Sequence, residues 1–296
     1  MNVKEAIEEF LLCKMAEGLK DSTITWYKVR FMRFDKKFGD WPLERLNIND
    51  LRKYIVDIRS ENVSDDYKFA LVRVVRTLLK WCNEDTDYRN DMYKKIKPHP
   101  RSKKAPKGVD PRDVQRLLDS CDESVSSIRD FSIILFLYDT GCRAAGLCNL
   151  TLRELDLDHR RALIFEKGDK TRVVLFREET ANALARWFRV RKWRDNPFVF
   201  HSLQEDVPLN PTSLRHMLNR RGKRADVKGK VNPHAFRHGF AREYILNGGD
   251  LASASEIMGH SSLAVTKDFY AMFSIEELRE KHDEFSPLGN LEIVAS

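Results

Sequence analysis

The sequence predicts a mainly α-helical protein with one small β-sheet, an α+β fold divided into two domains. Apolar residues recur at helical spacing through the N-terminal third, a lysine- and proline-rich stretch then breaks the pattern, and a single pair of strand-like runs stands in an otherwise helical remainder. At 296 residues and 42% hydrophobic content the chain is long for one core and sufficient for two.

Residues 3–18 read as an amphipathic helix ended by Gly18. Ser22 is expected to cap a second helix on which Tyr27, Phe31, Phe34 and Phe38 share one face, with Gly39 as its stop. An aromatic stripe at that spacing belongs to a core more often than to a ligand platform. Asn49 is expected to open a third helix, with Leu51, Tyr54, Ile55 and Ile58 on one side, and Ser64 a fourth carrying Ala70, Leu71, Val74, Leu78 and Trp81. Residues 1–93 therefore form a compact all-helical domain.

Residues 94–109 read as a basic linker. Lys94, Lys95, Lys97, Arg101, Lys103, Lys104 and Lys107 follow one another with no intervening acid, and Pro98, Pro100 and Pro106 block helix continuation. Such a run is a solvated tether, and it is also suited to lie along phosphates, where each cation releases counterions. Lys97, Arg101, Lys103, Lys104 and Lys107 are the candidate DNA contacts here.

The second domain, 110–296, begins at Asp110-Pro111, an N-cap followed by proline at the first helical position. Val114, Leu117 and Leu118 make an apolar stripe, and Ser127 to Asp139 reads as a buried helix closed by Gly141. A short helix at Ala144 to Asn149 precedes two β-type runs, Ala162 to Phe165 and Arg172 to Phe176, joined by a turn over Glu166 to Lys170. Glu178 to Trp193 and Asn210 to Arg224 read as helices. The latter ends in Arg220, Arg221, Lys223 and Arg224, a second candidate DNA-binding cluster reinforced by Lys228 and Lys230.

Net charge is +7, and its clustering is more informative than its total. Five cysteines without CxxC spacing read as reduced thiols of an intracellular protein, with neither a disulfide framework nor a zinc site. The N-terminal residues Met1 to Glu5 do not form a signal peptide, and the longest apolar run, Phe131 to Tyr138, is too short to span a bilayer.

The chemistry concentrates in Pro233-His234-Ala235-Phe236-Arg237-His238, then Ile257-Met258-Gly259-His260-Ser261-Ser262, then Phe269-Tyr270. Histidine and arginine donors suit a phosphate anion, and a phenol suits attack on one. These runs hold none of the clustered carboxylates that a hard metal ion would need, so neither metal nor cofactor is expected. Thr140-Gly141-Cys142-Arg143 adds an arginine at a helix–loop junction, where its planar fork can grip phosphate, and the hairpin turn adds Lys167. Each alone is an ordinary surface feature. The ordered set Arg143, Lys167, His234, Arg237, His260 and Tyr270 is not.

That set resembles the tyrosine recombinase family, the phage-type integrases and Xer-like recombinases. The likeness spans the whole chain in layout, a helical (SAM-like) core-binding domain followed by a tyrosine-recombinase catalytic domain, and is most specific from Asp139 to Tyr270. Thr140-Gly141-Cys142-Arg143 is similar to the first-arginine motif, Lys167 falls where the family carries its hairpin lysine, His234 to Arg237 matches the His-x-x-Arg box, and Met258 to Ser262 precedes Tyr270 as the nucleophile's approach. Gly146 departs from the pattern, standing where the family usually has an acid. The step from His260 to Tyr270 is one residue longer than the commonest spacing.

The resemblance implies a site-specific DNA recombinase that breaks and rejoins strands through a 3′-phosphotyrosyl intermediate, without metal or ATP. In it Tyr270 attacks and His234 accepts its proton. Arg143, Arg237 and His260 stabilise the phosphate, and Lys167 or its neighbour Lys170 protonates the leaving 5′ oxygen. It also implies double-stranded DNA with core sites as partner, a homotetramer on synapsed DNA with accessory host proteins, and a cytoplasmic, nucleoid-associated location. A C-terminal helix over Ser274 to Glu284 and the tail after it are expected to dock on a neighbouring protomer or on their own domain. Two alternatives remain: a DNA-binding regulator weakened in cleavage, which Gly146 keeps open, and a type IB topoisomerase.

Overall fold

The computed structural model describes residues 1–98, 108–166 and 170–259, with the side chains of Glu166 and Lys170 excepted. The chain divides into two compact units, Met1–Lys104 and Ala105–Ser296.

In the first unit α1 (Val3–Ala16), α2 (Asp21–Phe38), α3 (Ile48–Ser60) and α4 (Asp65–Asp85) pack around one core, and a short α5 (Met92–Lys95) closes it. Side chains satisfy the free amides at three of the helix starts. Asn2 and Glu5 form a reciprocal capping box on α1, Asn47 and Asp50 another on α3, and Ser64 accepts from the Tyr67 amide on α4. The cap of α3 is thus Asn47, two residues before Asn49. Ser22 lies inside the first turn of α2, which has no side-chain cap.

The aromatic stripe of α2 is core. Phe31, Phe34 and Phe38 are buried, and Phe10 of α1 meets Tyr27, Phe31 and Trp81 edge-on at 5.2, 5.7 and 5.7 Å between ring centres. Edge-to-face pairs at this spacing add modest attraction beyond their area. The stretch read as a linker is structured at both described ends. Residues 94–95 complete α5 and Ile96 is buried in the first core, whereas Val109 is buried in the second and its amide donates to the Ala235 carbonyl at 2.9 Å. Residues 99–107 lie outside the described residues.

The second unit is built on α7 (Val125–Thr140), whose Ile133, Ile134, Phe136 and Leu137 are fully buried. Around it stand α6 (Pro111–Asp119), α8 (Ala144–Cys148), α9 (Glu178–Val190), α10 (Pro211–Arg224), α11 (Pro233–Leu246) and α12 (Leu251–Met258). One antiparallel sheet runs in the order β1 (Leu155–Asp156), β2 (Arg161–Glu166), β3 (Lys170–Leu175). Leu163 pairs with Val173 and Glu166 with Lys170, so the two expected β-type runs pair antiparallel, and residues 167–169 between them lie outside the described residues. Strand alternation sends Ala162, Ile164 and Val174 into the core and leaves Leu163, Phe165, Val173 and Leu175 exposed. Strand β1 has no counterpart in the sequence reading, because two residues are too few to show alternation.

A buried ionic group joins α7 to α10. Asp130 is completely buried, and its Oδ1 accepts from Arg129 Nε and Nη2 at 3.2 and 2.9 Å. Its Oδ2 accepts from Arg221 Nε at 2.8 Å, and Arg221 Nη2 donates to Ser127 Oγ at 2.8 Å.

Candidate active site

The first arginine is placed by a helix end. Helix α7 stops at Gly141, whose backbone is left-handed (φ 57°) and where an added Cβ would lie 2.6 Å from the Phe240 ring, so glycine is required on both counts. Asp139, in the last turn, accepts at Oδ2 from the Arg177 amide and from Thr180 Oγ1, both at 2.7 Å. A carboxylate thereby supplies the start of α9 with the cap its own N-terminal residue lacks, and fixes the end of α7 against it. The chain then passes through fully buried Cys142 to Arg143, which is half-buried at the N-cap of α8 with extended backbone.

Helix α11 supplies the second group. Asn232 caps it, accepting from the Ala235 amide at 3.0 Å, and Pro233 occupies the first helical position. His234 sits exposed in the first turn. Arg237, one turn later on the inner face, is only 5% exposed. Its Nη1 donates to the Gly141 carbonyl at 2.8 Å and its Nη2 to the Met258 carbonyl at 2.5 Å. One guanidinium therefore ties the loop before Arg143 to the end of α12.

A third arginine, Arg172 of β3, reaches the same place and donates to the Ile257 carbonyl. Burial, then the adjacent Arg143 and Arg172, push the Arg237 guanidinium down to about 9, and burial followed by Arg172 pushes Arg143 down as well. Guanidinium stays protonated at neutral pH, so these directions express the repulsion and desolvation of gathered cations. An anion brought among them relieves both. Burial raises the Cys142 thiol, opposed in part by Thr140 and then by Arg172 and Arg237, which places that side chain in the same field. Further along α11, burial and then His234 and Arg237 push His238 down to about 4, so it is neutral at physiological pH.

Of the six residues singled out from sequence, Arg143, His234 and Arg237 are described, and they converge on the Gly141 loop and the start of α11. Lys167, His260 and Tyr270 lie outside the described residues, as does the helix expected over 274–284. Lys170, the rival of Lys167, is at the first position of β3. Sequence reasoning passed over Arg172. Its signal was alternation: Arg172 occupies the same face of β3 as buried Val174, an inward position where a cation needs a reason.

Gly146 also finds an explanation. A Cβ there would lie 2.3 Å from Ile164 Cγ2, and Ile164 is fully buried. A side chain at position 146 would meet this methyl of β2, so glycine fits the packing between α8 and the sheet.

Among the candidate DNA contacts, Lys97, Arg220 and Lys223 are exposed, and Arg224 is exposed while donating to Asp122 at 3.0 Å. Arg221 must be removed from the set: it is 4% exposed and committed to Asp130 and Ser127. Helical spacing carries the apolar stripe Leu214, Met217, Leu218 into position 221, so the stripe outranks the surrounding charge run. Arg101, Lys103, Lys104 and Lys107 lie outside the described residues. Among the described residues no group of three or more His, Cys, Asp or Glu could hold a metal ion, and no helix is long and apolar enough to cross a membrane.

The geometry agrees with what the chain is similar to. Tyrosine recombinase XerC of Alcanivorax borkumensis is 26% identical over 293 residues, 97% of this chain and 95% of the relative. The crystal structure of XerA recombinase superposes with a TM-score of 0.56 at 25% identity, covering 96% of this chain and 99% of that one. The Tn1549 transposon integrase, solved in complex with transposon right end DNA, shares the fold with a TM-score of 0.74 at 20% identity over 97% of this chain and 100% of that one. Residues 107–275, more than half of the 296, match the phage integrase family. The chain belongs to that family, the tyrosine recombinases.

Proposed function

We propose that this chain is a site-specific DNA recombinase that cuts and rejoins strands through a 3′-phosphotyrosyl link. The observation that carries the reading is the gathering of Arg143, Arg172 and Arg237 with Arg237 pinned to backbone. A guanidinium has five N–H donors, and two of those on Arg237 are taken by the carbonyls of Gly141 and Met258. The remainder are available to a phosphate in a fixed orientation, which is how preorganised charge lowers a barrier.

In the proposed reaction the Tyr270 oxygen forms a bond to phosphorus as the bond to the 5′ oxygen breaks. The phenol, with an ordinary pKa near ~10, needs its proton accepted, and exposed His234 in the first turn of α11 is suited to that. Arg143 and Arg237, with His260, neutralise the non-bridging oxygens. Lys167, or Lys170, returns a proton to the leaving 5′ oxygen. One P–O bond is exchanged for another, so religation by the 5′ hydroxyl needs no external energy source. Packing of Ile164 against Gly146 removes the reason to read Gly146 as a mark of lost cleavage.

The same reading includes duplex DNA with specific core sites as substrate, a homotetramer on synapsed sites with accessory host proteins, work on a mobile element, and a cytoplasmic, nucleoid-associated location. Lys97, Arg220, Lys223 and Arg224 are the described candidates for phosphate contacts along the duplex, together with Arg101, Lys103, Lys104 and Lys107. The test is adduct formation on supercoiled plasmid carrying the DNA that flanks this gene. Wild type is expected to give DNA that migrates with protein after SDS, and Tyr270→Phe none. An adduct of equal yield with Tyr270→Phe would overturn the assignment of the nucleophile.

A further inference from the structure

The carbonyls at the end of α12 are met partly by its own cap and partly by side chains from other elements. A helix leaves its last four C=O groups without intrahelical partners. Here the Ser255 and Glu256 carbonyls both receive the amide of Gly259, the left-handed C-cap (φ 64°). The other two are met from outside the helix: Met258 by Arg237 of α11, Ile257 by Arg172 of β3. Two guanidiniums from two different elements therefore close one helix terminus, where the macrodipole favours positive charge. In sequence, His260 follows two residues after Met258 and Tyr270 ten residues later.

We propose that Arg172 is a positioning residue of the recombination site, fixing where the chain leaves α12 on its way to His260 and Tyr270. This rests on the recombinase reading and deepens it. Strand β3 carries Lys170 two residues before Arg172, and Lys167 precedes Lys170 in sequence by three residues. The Arg172–Ile257 bond thus links the strand bearing Lys170 to the helix that His260 and Tyr270 follow in sequence. Arg237 links that same helix end to the Gly141 loop and hence to Arg143. Strand β3, the Gly141 loop and the end of α12 are held to one frame by two side chains, and only Arg237 belongs to the His-x-x-Arg box. Arginine suits the task because its planar fork holds a carbonyl in a set direction, which a lysine ammonium on a flexible stem does not.

The experiment compares wild type, Arg172→Lys and Arg172→Gln as full chains. Without DNA, amide hydrogen exchange is followed over peptides covering residues 251–259, α7 and α9. Arg172→Gln is expected to speed exchange at residues 255–259 by about tenfold, with α7 and α9 as protected as in wild type and Arg172→Lys in between. With the flanking-DNA plasmid at saturation, Arg172→Gln is expected to form adduct ~10–100-fold more slowly, at an unchanged half-saturating concentration, with partial recovery in Arg172→Lys. Unchanged exchange at 255–259, or equal loss of protection across α7, α9 and α12, would overturn the proposal. A wild type that forms no adduct would count against the recombinase reading alone, and the exchange comparison would still decide the role of Arg172.

Discussion

Two groups of buried arginines in the second unit are held by opposite means. Arg129 and Arg221 flank Asp130, which accepts from both, so each of these cations has a carboxylate partner although the group as a whole stays positive. Arg237 is as deeply buried, yet it donates to the carbonyls of Gly141 and Met258, and among the described residues no acid forms an ion pair with it. A carbonyl fixes a guanidinium without cancelling its charge. The first arrangement locks α7 to α10. The second keeps a cation in place and leaves it short of an anion, which is the condition of a phosphate site. Buried charge is paired with a carboxylate in one case and held by carbonyls in the other, and it is the second arrangement that the proposed reaction draws on.

Substitutions can break this contrast, and the largest effect on stability belongs to Asp130. Asp130→Asn leaves two buried cations facing a neutral amide, and removing one partner of a buried ionic group costs ~3–5 kcal/mol. Urea unfolding should show a midpoint far below wild type. Arg237→Met should do the reverse. Cleavage should fall ~10²–10³-fold, the scale of losing one transition-state donor, while the urea midpoint drops much less than for Asp130→Asn. Equal destabilisation by the two would erase the distinction.

Gly146→Glu is expected to cost ~1–3 kcal/mol by overpacking, since it drives a side chain into Ile164, and to bring no gain in adduct yield. A more active Gly146→Glu would mean that Arg143 lacks support in the native chain. The smallest effect concerns His238. Its pKa is depressed to about 4 in the folded protein, so its contribution to stability is fully present above the unfolded value near ~6.5 and is lost as pH falls toward about 4. Partial exposure limits the change to the order of 1–2 kcal/mol. His238→Gln should flatten the urea midpoint between pH 7 and pH 4 by that amount.

Periodicity made most of the fold legible. The stripe Phe31, Phe34, Phe38, the cap at Ser64, the Asp110-Pro111 helix start and the Gly141 stop are local signals, and each is where residue chemistry put it. The hairpin followed from its two β-type runs. What escaped were features decided by tertiary contact. Strand β1 exists only because β2 pairs with it. Arg221 looked like part of a surface charge run because Asp130, its partner, lies 91 residues earlier in the chain. Arg172 reads as one cation among many around the hairpin until the carbonyl it serves is known, and that carbonyl lies 85 residues later. For Gly146 the sequence shows a missing acid, and only the structure shows Ile164 packed against that position. Arg143, His234 and Arg237 were singled out by the order of their motifs, since no single motif carries the proposal.

Arg237 is fixed by carbonyls and has no acid partner among the described residues, and the most direct test of this is anion-dependent stability. The thermal midpoint of the full chain would be measured in inorganic phosphate and in chloride at matched ionic strength, for wild type, Tyr270→Phe and Arg237→Met. An anion that binds only the folded site raises the midpoint by mass action. Phosphate should raise it for wild type and for Tyr270→Phe and leave Arg237→Met unmoved. An equal rise in all three, or none in wild type, would contradict the account.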